Sequence, residues 1–258
     1  MRYLGILVGV LWAQYYTPHL LSTMQTQATL LHEPINANPA AVFPLERFHL
    51  GVNSALYLPA PELIFYSGGG SYTWDTLQSV HLLWQRWGFD KIHHSEIGAG
   101  YALRLVRSRL TLAVRARLLS TTFSEYGRLY QGTPDVGFTL KLGGSWYLGG
   151  YGYNLLAKGW GNLPGRTQYG IGLSYQPSPI VQTLTEVTQQ ENTVPQVRTA
   201  LVYVPHALLI LRVGVCWPIL GIGAGWTLRY KKVSLDVGYG YQPTTGNWAS
   251  VGVSMTQR

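Results

Sequence analysis

The feature that most constrains this chain is an alternation of apolar with small or polar residues, with a period of two. It recurs from about residue 48 to the C-terminus. In an extended strand such a period places one residue set on each face. Leu209, Leu211, Val213 and Val215 share one face, and Arg212, Gly214 and Cys216 the other. Ile97, Ala99, Tyr101, Leu103 and Leu105 alternate with Glu96, Gly98, Gly100, Ala102 and Arg104. Leu110, Leu112, Val114, Ala116 and Leu118 alternate with Thr111, Ala113, Arg115 and Arg117. The same pattern returns at 48–56, 136–142, 168–175, 220–229, 233–240 and 249–255.

These segments are about ten residues long, the length a tilted strand needs to cross a bilayer. Turn signals divide them, among them Pro59-Ala60-Pro61, Gly143-Gly144-Ser145, Pro177-Ser178-Pro179, Pro205-His206 and Thr244-Thr245-Gly246-Asn247. Weaker strands near 62–72, 79–88, 146–155, 180–189 and 195–204 bring the total to about fourteen, an even number as in bacterial outer-membrane barrels. The expected fold is all-β: an antiparallel transmembrane β-barrel over 46–258, preceded by a hatch-like N-terminal segment.

A water-soluble β-sandwich or propeller would alternate too, but its polar face would carry Lys, Glu, Asp and Gln. Here that face is mostly Gly, Ala, Ser and Thr, and only 12% of the chain is charged. The 18 Tyr and 9 Trp suit water–lipid boundaries, where an apolar ring with a polar tip is at home. His206 to Trp226 is apolar enough to imitate a transmembrane helix. Arg212 would cost roughly 2.5–3.5 kcal/mol near the centre of such a helix. Pro218 and four glycines also oppose it, and period two divides the segment into a hairpin. Residues 75–88 fit either a strand or a short helix with Leu77, Val80, Trp84 and Trp87 on one stripe. Gly68-Gly69-Gly70 reads as a flexible turn.

The N-terminus reads as an export signal over 1–14: Arg2, an apolar stretch Tyr3 to Trp12, and cleavage after Ala13 or Gln14. The Ala-Gln ending resembles signals common in the Bacteroidota. The expected location is the outer membrane of a Gram-negative bacterium, with its lipid as the first partner. Residues 15–45 hold Pro18, Pro34, Pro39 and Pro44 and little alternation. They read as a periplasmic arm or a hatch. Net charge is +8, with Lys and Arg scattered rather than gathered on one helix or face. That pattern suits anionic headgroups and argues against nucleic-acid binding. The single Cys216 allows no intrachain disulfide.

No catalytic constellation, phosphate loop or cofactor motif is present, so neither an enzyme nor a bound cofactor is expected. His93-His94-Ser95-Glu96 clusters metal-ligating types, yet adjacent histidines on a strand point to opposite faces. If the apolar faces meet lipid, Arg104, Arg115, Arg117, Lys141, Arg198, Arg212 and Arg229 point inward, with Glu96, Glu186 and Asp236 as potential partners. Such charges either form a salt-bridged plug or line an anion-attracting passage.

Asn38-Pro39-Ala40-Ala41, just before the first strand, resembles the Asn-Pro-Ala element of the FadL long-chain fatty acid transporters. Asp135-Val136-Gly137-Phe138, then Leu148-Gly149-Gly150 and Asn154-Leu155, resemble a central repeat of the related PorV and PorQ proteins of type IX secretion. The run continues through Gly170–Pro177, Leu211–Gly214, Gly221–Gly225 and Leu235–Tyr239. The resemblance implies a fourteen-stranded barrel without enzymatic activity. Its first implied role is docking or shuttling in a type IX-like secretion route, with other envelope proteins as partners. The alternative is a passive FadL-like transporter of hydrophobic molecules, with a wall opening near Gly149–Gly152.

Overall fold

The computed structural model describes residues 38–42, 47–75, 77–89, 91–105, 109–125, 127–156, 167–191, 193–218, 220–243 and 246–257. The expected signal at 1–14 and most of the 15–45 segment lie outside the described residues.

Fourteen strands make up the wall: β1 (Phe48–Tyr57), β2 (Ile64–Thr73), β3 (Gln78–Phe89), β4 (Ile92–Leu105), β5 (Leu110–Phe123), β6 (Gly127–Gly143), β7 (Trp146–Tyr153), β8 (Gln168–Ser178), β9 (Val181–Gln190), β10 (Gln196–His206), β11 (Leu209–Trp217), β12 (Gly221–Tyr230), β13 (Val233–Gln242) and β14 (Gly246–Gln257). Each pairs antiparallel with its chain neighbours. The pairing of β1 with β14 closes the barrel, from Phe48 opposite Gln257 to Tyr57 opposite Trp248.

The alternation decides which face goes where. Leu211, Val213 and Val215 are exposed on the outside, while Arg212 between them is buried. A sandwich would bury the apolar set, so this inside-out arrangement excludes the soluble alternative. Within the stretch His206–Trp226, Leu209–Trp217 form β11 and the residues from Gly221 onward begin β12. No helix among the described residues is long and apolar enough to cross a membrane.

Strands β1 and β14 bring Phe48 and Gln257 to one end, the terminal end. Four of its connections, 144–145, 179–180, 207–208 and 231–232, have two residues each. The 144–145 turn is closed by Gly143 and Gly144 at φ 145° and 52°, a region that glycine enters without steric cost.

The strand expected near 79–88 is found: residues 78–89 form β3, with Val80 and Trp84 outward and Trp87 buried inside, so the helical stripe is not used. Other expectations change. Gly68-Gly69-Gly70 is not a turn but the middle of β2. Trp84 lies across Gly68, where a Cβ would come within 2.5 Å of its indole nitrogen. Pro205-His206 ends β10 rather than forming the turn, which falls at 207–208. Strand length is not uniform: β4 and β5 have 14 residues and β6 has 17, against 8 in β7. The wall is therefore tallest at β4–β6.

Val213 sits at the middle of β11, facing outward. Val213→Arg should lower stability by about 2–4 kcal/mol, and Tyr230→Arg at the terminal end of β12 by only about 0–1 kcal/mol. Denaturant unfolding in lipid vesicles measures both, and equal costs would contradict this placement of the membrane.

Candidate functional site

The interior is built from the inward residues of successive strands, which fall into rows across the sheet. One row runs Gly100, Arg115, Asp135, because these positions pair across β4, β5 and β6. Arg115 and Arg117 are inward neighbours on β5, and two guanidinium groups so close need carboxylates. Arg117 donates from Nη1 to Glu96 Oε1 at 2.9 Å and from Nη2 to Asp135 Oδ1 at 2.7 Å. Its Nε lies 2.6 Å from Asp135 Oδ2, and Arg115 Nε donates to that same oxygen at 2.9 Å. All four side chains are buried, and both guanidinium groups lie over the Tyr153 ring at 5.3 and 5.4 Å. Two positive and two negative charges close a neutral cluster, the condition for holding ions out of water.

Asn154 completes it from the end of β7. Its backbone N–H donates to Asp135 Oδ1 at 3.0 Å, and its Oδ1 accepts from Arg117 Nη2 at 2.8 Å. Its φ of 55° is a conformation that Asn tolerates better than most residues.

The other inward charges lie elsewhere. Glu186 accepts from Tyr151 at 3.1 Å and sits opposite buried Arg198 in the β9–β10 register. Arg198 donates to Gln196 at 3.4 Å, which also receives the weak Cys216 thiol contact at 3.9 Å. Arg212 reaches Asp236 at 3.4 Å, and Thr227 links the two. Arg104 and Arg229 are half-buried near the terminal end. Lys141 departs from the expectation of a lumen charge. It ends β6 exposed, with its ammonium 5.6 Å from the Tyr147 ring, because the strand runs out of wall there. His93 and His94 fall on opposite faces of β4. His94 turns inward to Thr121 at 2.8 Å and stacks on Trp87, so the two rings do not share a site.

Asn38, Pro39, Ala40 and Ala41 lie on the inner wall against β4–β6, with Pro39–Val42 forming a 3₁₀ turn. Asn38 Nδ2 donates to the Phe138 carbonyl at 2.8 Å, and its Oδ1 accepts from the Ala40 N–H at 3.0 Å. Ala40 packs on Ala102 and Ala113. Gly137 is what admits this turn, since a Cβ there would lie 2.1 Å from Asn38 Oδ1 and 2.9 Å from Pro39 Cδ. Asp135 and Gly137 thus serve two neighbouring purposes on one face: the first neutralises arginines, and the second makes room.

At the opposite end from the termini an aromatic cluster packs inside the barrel. Phe65 stacks on Trp87 at 5.9 Å and meets Trp248 edge-on at 5.6 Å, and Tyr57 lies 4.7 Å from Trp248. Tyr151 and Tyr153, 4.3 Å apart, join this cluster to the ion cluster below.

The outer wall carries a groove of about 850 Å³ over β4–β9. Its cause is a pair of outward glycines on β7. Phe138 folds over Gly150 and Leu155 over Gly152, where a Cβ would come within 2.5 and 2.9 Å respectively. Val114, Val136, Tyr169 and Ile171 form part of its rim, and the inward Tyr151 reaches its floor. The sequence named Gly149–Gly152 as a candidate wall opening and Asp135 and Asn154 as members of the resembling repeat, but it did not pair Asp135 or Asn154 with the inward arginines and did not mark the aromatic cluster. For Asp135 a signal existed: it shares the inward parity of Gly137 two residues away.

The strands define a closed transmembrane β-barrel with buried ion pairs and an aromatic cluster in its interior. Solved structures share the barrel fold at low sequence identity. The ΔS2 mutant of the monoaromatic hydrocarbon channel TodX matches with a TM-score of 0.74 and 10% identity, over 95% of this chain and 99% of that one. The monoaromatic hydrocarbon channel CymD matches at 0.72 and 10%, over 93% and 97%. A FadL homologue from Pseudomonas aeruginosa matches at 0.62 and 11%, over 95% and 99%. The fold is that of the FadL-like barrels. No family model matches the chain, and no curated protein matches it.

Two outcomes test this interior. Asp135→Ala leaves two buried arginines short of a counter-charge and should cost about 3–5 kcal/mol in denaturant unfolding. Gly137→Val should expel the 38–42 turn while the barrel stays folded. Limited proteolysis would then cut within that turn in the variant and not in the parent, whereas identical digests would show that the turn does not depend on Gly137.

Proposed function

We propose that this protein is a non-enzymatic passive channel for small apolar molecules in the outer membrane of a Gram-negative bacterium. The observation that carries this reading is the groove at Gly150 and Gly152. It is an apolar depression of about 850 Å³ on the lipid side of the wall, with Tyr151 of the interior at its floor. Ligand sites of this kind are concave and mostly apolar.

The interior favours the same reading over an aqueous pore. Arg115, Arg117, Glu96 and Asp135 are mutually neutralised and buried, so they offer little field to draw anions through. An apolar molecule would instead partition into the aromatic cluster of Phe65, Trp87 and Trp248. From there it would pass Tyr151 and leave sideways through the wall into the bilayer. The 38–42 turn, seated beside Gly137 and next to this route, is the natural hatch. Structural likeness to TodX and CymD, whose names refer to monoaromatic hydrocarbons, makes a small aromatic hydrocarbon the first substrate to try.

The docking role in a type IX-like secretion route gains no surface of its own. The motifs that suggested it, around Asp135, Gly137 and Asn154, are engaged inside the barrel.

Filling the groove tests the proposal. Gly150→Val and Gly152→Leu should reduce uptake of radiolabelled toluene by whole cells to the level of cells lacking the protein. Heat-modifiable gel mobility serves as the control for folding. Unchanged uptake by folded variants would rule out the groove as the route.

A further inference from the structure

The outward positions of β3–β6 change character abruptly at one level of the wall. Trp84, Ile97, Leu118 and Gly132 pair in one row and mark the edge of the apolar belt. The next row, away from the termini, is Arg86, Ser95, Ser120 and Tyr130. The row beyond it is Gly88, His93, Thr122 and Arg128. These eight positions hold two arginines, a histidine, four hydroxyl groups and no carboxylate.

Arg128 is held against the wall. Its Nε donates to Thr122 Oγ1 at 2.9 Å and its Nη1 to the Tyr130 hydroxyl at 3.3 Å, leaving further N–H donors on an exposed group. Arg86 is exposed as well, and Lys91 stands in the β3–β4 turn. Along the chain, Asp90 precedes Lys91, and Glu125 stands in the β5–β6 turn three residues before Arg128, while Glu96 faces inward to Arg117. Among the described residues, the outward positions at this end of β7–β14, β1 and β2 carry no Arg, Lys or His. The cations are gathered on one side, where the strands are longest.

The short turns of the terminal end mark the periplasmic side of such a barrel, so this opposite end faces the outer leaflet. We infer that this patch binds the phosphate-bearing headgroup of an outer-leaflet lipid, a lipopolysaccharide. The placement selects a lipid over a soluble anion. The cations face sideways from the wall, directly above Trp84, Ile97 and Leu118, so the acyl chains of the same molecule would lie against that belt. Arginine offers planar paired donors suited to phosphate, and the hydroxyl groups can bond the sugar. The inference rests on the outer-membrane reading above but not on the transport route.

The test uses full-length, detergent-purified, folded protein incubated with lipid A or with lipid A stripped of its phosphates. Lipid retained per folded barrel is then measured. The parent should retain lipid A and not the dephosphorylated form. The double variant Arg86→Gln/Arg128→Gln should lose affinity about 30-fold. Lys231→Gln/Lys232→Gln, at the terminal end, should match the parent. Equal retention by the parent and the Arg86/Arg128 variant would overturn the inference. So would equal retention of both lipids, or displacement of lipid A by inorganic phosphate at equal concentration. Toluene uptake by the Arg86/Arg128 variant should equal that of the parent. Lost uptake in every form with lipid retention intact would therefore strike the transport proposal alone.

Discussion

Hydrocarbon offers no partner to a backbone N–H or carbonyl group, and the rest of this structure depends on that constraint. A sheet can meet it only by closing on itself. Closure through β1 and β14 removes both edges, and with it one face of every strand must look outward to lipid and the other inward. Every polar side chain on the fourteen strands is then sorted by parity. An arginine on the inner face of β5 cannot reach solvent around an edge, so it needs its counter-charge within the lumen.

The solution at β4–β7 combines charge and space. Arg117 is shared by Glu96, Asp135 and Asn154, residues from three further strands or strand ends. The cluster fastens four neighbouring strands at one level through side chains as well as the backbone ladder. Glycine does the complementary work. Gly137 yields its volume to Asn38 on the inside, and Gly150 and Gly152 yield theirs to Phe138 and Leu155 on the outside. The contact of the 38–42 turn and the wall groove therefore lie back to back across one layer of backbone at β6–β7.

The two proposed sites draw on the same asymmetry of strand length. Where β7 is short, beside a much longer β6, the wall is notched and apolar. Where β4–β6 rise highest, the added rows escape the hydrocarbon and can carry Arg86, His93 and Arg128. The height of the wall thus separates a lipid-facing greasy site from a headgroup-facing polar one.

The sequence alone determined the strands, their approximate number and their inside–outside sense, because a period of two is a local property and hydrocarbon tolerates only one of the two orientations. It also marked the Gly149–Gly152 strand through its glycines, while Asn38 was marked only by the resemblance of Asn38-Pro39-Ala40-Ala41 to the FadL element. Lengths were less legible. Serine, threonine and tyrosine in the upper rows of β4–β6 look like loop, and only the neighbouring strand makes them sheet. Charge pairing was not legible, because Arg117, Asp135 and Asn154 meet through registers spanning 18 to 37 residues of chain. Lys141 shows the same limit from the other side. Its parity is that of a lumen residue, but only the tertiary structure decides where the wall ends. Register is a property of strand pairs, set by which turns close tightly and which side chains fill the lumen together, and no single strand carries it.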